Sequence, residues 1–395
     1  MCIAPPLSVR TIRKYQLQRA LHLPSVMKAG LNGSGILWNP GTQTGYDMKL
    51  PRFNWCAMSR LLYTRLLVLL AALAVPVLHA ASVEELEASA REGDAASQYL
   101  LAQRYEAGKG VDRDLARAAE WFGKAARQGH ARAQTNLGNL YRSGRGVSQD
   151  YGEALVWYRK AAAQDDTKAQ INIALMYAGG KGVEQDEAEG LKWLQRAASK
   201  GDTQAMVYLG DLYRAGNGVE KDYAMSTEWY RLAAAKGDPT AQHNLGLSYF
   251  RGRGVEKDYS ESVTWYRKSA SKGYPPAEYS MGLCYANGHG VGQDYTEAAR
   301  WYRKAATHGH PSAMSNLGIL YRNGQGVDRD YAEALNWFRK AAERGHPPAQ
   351  YLLGKMYLQG QGVKQDLEEA KRWFSKAADA GYQKAKKSLQ SLEGG

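Results

Sequence analysis

Tryptophan recurs at a fixed step of 36 residues in this 395-residue chain, at Trp121, Trp157, Trp193, Trp229, Trp265, Trp301, Trp337 and Trp373, with no insertion or deletion between copies. A constant period of that length marks a repeat array and outranks any local motif as a guide to the fold. Tyr105, Tyr141, Tyr177, Tyr213, Tyr249, Tyr285, Tyr321 and Tyr357 keep the same step, as do Val111 through Val363 and Asp114 through Asp366. The composition carries the imprint of this copying, with 26 Tyr and 10 Trp against 5 Phe, and 42 Gly. Apolar residues make up 44% and charged residues 23%, which excludes a disordered or collagen-like chain.

The second copy shows the geometry of all eight. Ala133, Leu137 and Tyr141 are spaced by four, with small Gly138 beside them, so they form one apolar face of a first helix, helix A. The segment Gly144-Arg145-Gly146-Val147 ends that helix, because glycine enters the left-handed backbone region that closes a helix. Asp150 then reads as an N-cap and Glu153 as its capping-box partner. Helix B follows, with Ala154, Trp157, Tyr158, Ala161 and Ala162 on a core-facing stripe. Capping boxes are expected again at Asp186/Glu189, Asp258/Glu261, Asp294/Glu297, Asp330/Glu333 and Asp366/Glu369. Asp165 stands where other copies place the glycine that ends helix B, which predicts an altered connection there. A single hairpin of two such helices leaves apolar surface uncovered, so neighbours must stack around one core with the tryptophans buried in it.

The spacing therefore predicts an all-α fold: an α-solenoid of eight 36-residue helix-turn-helix repeats over residues 94–381, with a capping helix at each end, 81–93 and 382–395. Ahead of it, Met58, Arg60 and Arg65 precede the apolar run Leu66 to Leu78 and then Ala80-Ala81, the order of a secretory signal peptide at 58–80 cleaved after Ala80 or Ala81. The run is too short for a stable membrane span. Residues 1–57 show no periodicity and read as a non-native or disordered extension, with translation starting at Met48 or Met58. Localisation is accordingly expected to be periplasmic or secreted.

The formal charge of +13 suggests nucleic acid only until it is divided: residues 1–80 hold nine bases and one acid, leaving 43 bases against 38 acids in the remainder. No concentrated basic patch is present, so no nucleic-acid partner is expected. Cys2, Cys56 and Cys284 offer no paired spacing for zinc, and removal of the leader would leave Cys284 alone, without a disulfide. No cofactor or metal is expected.

The pattern Ala-x-x-x-Leu-Gly-x-x-Tyr, Gly-x-Gly-Val, Asp-Tyr-x-x-Ala-x-x-Trp and Ala-Ala resembles the Sel-one-like repeat, a relative of the tetratricopeptide repeat. The resemblance implies a right-handed solenoid that serves as an adaptor or scaffold, with helix A lining the concave face. It also implies, for secreted bacterial members, envelope functions or contact with host cells. A cysteine-rich subgroup is associated with β-lactamase or penicillin-binding activity, but that cysteine pattern is absent here.

Residues that define the repeat are read as structural, so function is sought where copies differ. On helix A these positions include Asn136, Asn139, Arg142, Asn172, Asp211, Arg214, His243, Asn244, Tyr279, Asn316 and Arg322, expected to be exposed and to bind protein. Side-chain amides both donate and accept, which suits a peptide backbone, and Arg142, Arg214 and Arg322 stand in register to engage carboxylates. His130, His310 and His346 share one turn position and read as turn residues. Ser269-Ala270-Ser271-Lys272 matches Ser-x-x-Lys without the companion motifs of penicillin-binding enzymes, and Cys284 reads as a buried small residue. The expected function is a non-enzymatic adaptor for an unidentified protein partner, such as an envelope enzyme or complex. The alternative is a hydrolase or binding protein directed at peptidoglycan or β-lactams.

Overall fold

The computed structural model describes residues 82–393. The expectations for residues 1–57, for the signal peptide at 58–80 and for Cys2 and Cys56 lie outside the described residues. Within them the chain forms 18 helices and no strand. α1 (Val83–Arg91) and α18 (Gln383–Glu393) stand at the two ends. The first four helix pairs are α2 (Ala95–Ala107) with α3 (Leu115–Arg127), α4 (Ala131–Ser143) with α5 (Tyr151–Ala162), α6 (Thr167–Ala178) with α7 (Glu187–Ser199), and α8 (Thr203–Ala215) with α9 (Tyr223–Ala235). The other four are α10 (Pro239–Arg251) with α11 (Tyr259–Ala270), α12 (Pro275–Asn287) with α13 (Tyr295–Thr307), α14 (Pro311–Asn323) with α15 (Tyr331–Glu343), and α16 (Pro347–Gln359) with α17 (Leu367–Asp379). Each helix packs mainly on the helices before and after it in the chain, which makes an all-α solenoid.

The core repeats with the sequence. α4 buries Ala133, Leu137, Gly138 and Leu140, and α5 buries Ala154, Leu155, Tyr158, Ala161 and Ala162. An added Cβ on Gly138 would lie 2.6 Å from the Tyr158 ring, and the same approach of 2.5–2.7 Å recurs at Gly210, Gly246, Gly282, Gly318 and Gly354. Where Leu194 replaces the ring, Ala174 replaces the glycine.

The tryptophans do not fill this core, which corrects the expectation that they are buried. Only Trp373 is buried, and the other seven are half-buried. The stripe on helix B is centred on the next residue, Tyr158 and its equivalents, which puts the indole one step round the helix at its rim. There a base three residues on lies over the ring, from Lys124 at 3.8 Å on Trp121 to Arg196 at 4.9 Å on Trp193. Trp157, Trp265, Trp301, Trp337 and Trp373 are covered in the same way, whereas Trp229 is followed by Leu232.

The turn between the helices of a pair is closed by one backbone bond. The Asp150 amide donates to the Tyr141 carbonyl, and all eight copies keep this bond at 2.9–3.1 Å. It also corrects the expected capping boxes. Asp150 accepts from the Glu153 amide at 2.9 Å, but Glu153 makes no return bond, because the amide it would reach already serves Tyr141. Both bonds of a box form at Ser82 and Glu85, where no such carbonyl competes. The expected change at Asp165 is corrected as well. Asp165 takes φ of 62°, and the bonds from Asp165 to Ala162 (3.1 Å) and from Asp166 to Ala161 (3.2 Å) match those around Gly201. A side chain therefore accepts left-handed strain and the connection is unchanged.

Candidate functional site

The variable positions on the first helix of each pair share one face, but they are less open than expected. Arg142 and Arg214 are exposed, whereas Asn136, Asn139, Asn172, Asp211, His243, Asn244, Tyr279, Asn316 and Arg322 are half-buried. The cause is a set of bonds that ties the face together. Tyr158 passes under Gly138, and its hydroxyl donates to Asn139 Oδ1 at 2.8 Å. Asn172 on the next such helix donates to the same oxygen at 3.0 Å. Tyr230 repeats the arrangement, donating to Asp211 Oδ1 at 2.7 Å, while Arg214 Nη2 donates to that oxygen at 3.0 Å. Burial, followed by the Asp211 carboxylate, pushes the Tyr230 phenol up to about 12. Tyr279 and Tyr302 are also raised by burial, with the nearby Asn316 side chain working against the shift.

Asn136, Asn139, Arg142 and Asn172 line one open cleft of about 790 Å³, together with Arg132 and Lys168. Arg214 and Asn244 line a second, smaller cavity of about 210 Å³. His243 packs between Tyr266 and Tyr274, at 5.5 and 5.7 Å between ring centres, with Nε2 3.1 Å from Ser280 Oγ. Burial pushes its pKa down to about 4. Arg322 lines neither cavity, and its Nε donates to Asn323 Oδ1 at 3.3 Å. The three arginines are therefore not equivalent as carboxylate hooks, since Arg214 already holds Asp211.

Sequence reasoning missed Ser226, Thr227, Ser248, Arg251 and Arg253 around the smaller cavity. The signal was available: Ser248 stands where other copies have Leu140, Leu212 and Leu320, and Thr227 where they have Leu155, Leu191 and Leu335.

The residues that resembled catalytic groups are engaged otherwise. Ser269 is fully buried and its Oγ donates to the Pro239 carbonyl at 2.6 Å, while Lys272 Nζ donates to the Gly237 carbonyl. Cys284 is buried, and burial pushes its thiol up to about 12, far from the thiolate needed of a nucleophile. His130 and His310 prove to be N-caps, each Nδ1 accepting an amide three residues on at 3.1 and 3.3 Å. Among the described residues no group of three or more His, Cys, Asp or Glu could hold a metal ion, and no helix is long and apolar enough to cross a membrane.

Stacked helix pairs with a varied face define an α-solenoid repeat protein. The Sel1 repeat matches residues 95–130, 131–166, 167–202, 203–238, 239–274, 275–310, 311–346 and 347–382, and the chain belongs to the Sel1-repeat family. It is similar to a protective antigen of uropathogenic Escherichia coli strains displaying an SLR fold, at 38% identity and TM-score 0.63, over 79% of this chain and 67% of that one. A Sel1 repeat protein from Oxalobacter formigenes is 36% identical with TM-score 0.59, over 79% of this chain and 90% of that one. No curated protein matches the chain. Sel1-repeat proteins generally mediate protein–protein interaction on a non-catalytic scaffold fold.

Proposed function

We propose that the chain is a non-enzymatic adaptor, periplasmic or secreted, that holds a protein segment along the concave face lined by the first helices of the pairs. The observation that carries this reading is where variation falls. In an array that copies its core and turns, the position of Asn139 becomes Leu175, Asp211 and Lys355 in other copies, that of Asn136, Asn172 and Asn244 becomes Leu100, Tyr208 and Ser280, and both border open space. Amides and guanidinium groups there suit a partner's backbone and carboxylates. The apolar run and Ala80-Ala81 ahead of the array support export. No observation favours a hydrolase, since Ser269, Lys272 and Cys284 are each engaged in packing or backbone bonds.

The test is affinity capture from envelope extract with the full chain and with a variant carrying Asn136→Ala, Asn172→Ala, Asn244→Ala and Asn316→Ala, both checked for equal helicity. A partner kept by the parent and lost by the variant is expected. Identical captures would remove this face as the binding surface. Turnover of nitrocefin or muropeptides by the purified chain, abolished by one substitution, would overturn the non-enzymatic reading.

A further inference from the structure

The fourth and fifth repeats depart from the others inside their core, and the fifth alone carries an arginine, Arg251, at its repeat position. Ser226, Thr227 and Ser248 are 2%, 1% and 8% exposed, at positions where the second repeat carries Ala154, Leu155 and Leu140. Burying hydroxyls in place of methyl groups is unfavourable unless each finds a partner, and the other copies show that the fold does not require them. Shortening the side chains also leaves space, the cavity of about 210 Å³ bordered by Tyr230, Asn244 and Leu247. That volume takes a group the size of one side chain.

Three guanidinium groups, Arg214, Arg251 and Arg253, line the same cavity. Arg214 is paired with Asp211. Among the described residues, no carboxylate lies within 4.0 Å of Arg251 or Arg253. The turn that carries Arg253 is held from inside the cavity, since Thr227 Oγ1 donates to the Arg253 carbonyl at 3.0 Å and lies 3.2 Å from Ser248 Oγ. At the rim, Lys221 lies 5.0 Å and Arg253 5.3 Å from the centre of the Tyr223 ring. The positive field is felt there: nearby Lys221, and the charges of Arg253 and Arg214, hold the Tyr223 phenol below its ordinary value. The Thr227 and Ser248 hydroxyls give their protons to the Arg253 and Asn244 carbonyls and so form the wall of the cavity, while the Asn244 amide and two unpaired guanidinium groups around a side-chain-sized space supply the donors for an oxyanion.

We infer that this cavity is a carboxylate-binding subsite, formed by Arg251, Arg253 and Arg214 over Ser226, Thr227 and Ser248, that anchors one acidic side chain or the chain terminus of a bound protein segment. The inference rests on the adaptor reading only for the source of the carboxylate. Arg251 and Arg253 supply the charge, and Thr227 positions Arg253 through its backbone.

The test follows arginine Nε–Hε signals of the full chain by NMR during titration with tripeptides. Acetyl-Ala-Asp-Ala amide offers a side-chain carboxylate, acetyl-Ala-Ala-Ala a terminal one, and acetyl-Ala-Asn-Ala amide neither. Saturable shifts of the Arg214, Arg251 and Arg253 signals are expected with one or both carboxylate peptides, and which of them binds identifies the source. The pair Arg251→Gln and Arg253→Gln is expected to weaken that binding at least about tenfold, the loss of two charge-assisted contacts. Ser248→Leu, which restores the residue of other copies, is expected to fill the cavity and abolish the shifts without lowering the melting temperature. Equal shifts with the Asn peptide, no saturation with either carboxylate, saturation by inorganic phosphate alone, or full binding by the double arginine variant would each overturn the subsite. Tripeptide binding in a chain that retains no protein from extract would refute the adaptor reading and leave the subsite standing, and the opposite pattern would do the reverse.

Discussion

At the scale of single residues, the difference between the conspicuous aromatic and the buried one is testable. Phe338 is fully buried and Trp337 beside it is half-buried. Phe338→Ala should cost about 3–5 kcal/mol, the usual loss for an emptied aromatic site, and Trp337→Ala clearly less, read from urea midpoints of the two variants. A larger loss at Trp337 would return the tryptophan to the core. His243 makes the chain sensitive to acid. Its folded pKa is near 4 and its ordinary value 6.5, so the unfolded chain binds more protons between those values. The full stability is present above about pH 6.5 and is lost as pH falls towards about 4, by roughly 1–3 kcal/mol. Burial shifts His310 and His346 in the same direction. Denaturation midpoints at neutral and mildly acidic pH should converge in His243→Gln relative to the parent, and an unchanged difference would exclude His243 as a cause.

At the scale of the helix, capping and close approach divide the work unevenly. Asp294 accepts from the Glu297 amide at 3.0 Å, whereas the Glu297 side chain pairs with exposed Arg300. Asp294→Ala should therefore cost about 0.5–2 kcal/mol and Glu297→Ala no more than about 0.5 kcal/mol, measured as shifts in melting temperature. Equal losses would mean that the box closes in solution. Gly282→Ala places a Cβ 2.5 Å from the Tyr302 ring and should cost about 1–3 kcal/mol through overpacking. The helices and turns were legible in the sequence because Gly, Asp and the apolar spacing act locally. What was not legible depended on a partner remote in sequence. The box failed because the Tyr141 carbonyl, brought round by the turn, claims the Asp150 amide. Trp157 was placed in the core because spacing alone does not separate the centre of a helix face from its rim. Part of the proposed face proved tied up for the same reason, as Asn139 and Asp211 serve tyrosines that arrive from the following helix.

At the scale of the molecule, stability is a sum of repeats and of their contacts with neighbours. Removing residues 167–202, one whole unit, should leave a helical array that melts cooperatively at a lower temperature, while removing half of that unit should abolish cooperative melting in circular dichroism. The junction around Ser226, Thr227, Ser248 and Ser262 holds the least apolar core among the inner repeats, so α10 and α11 should exchange amide hydrogens faster than α14 and α15. The bond from each Asp amide to the Tyr carbonyl before it has a consequence for how such a gene can change. It closes every turn over the same nine-residue span, so a joint cut between any two copies meets its counterpart in register. Unequal recombination can then lengthen, shorten or shuffle the array only in whole units. The reach of its binding face is thereby inherited in integers, and each new graduation arrives with an unmodified floor and a few positions free to diverge.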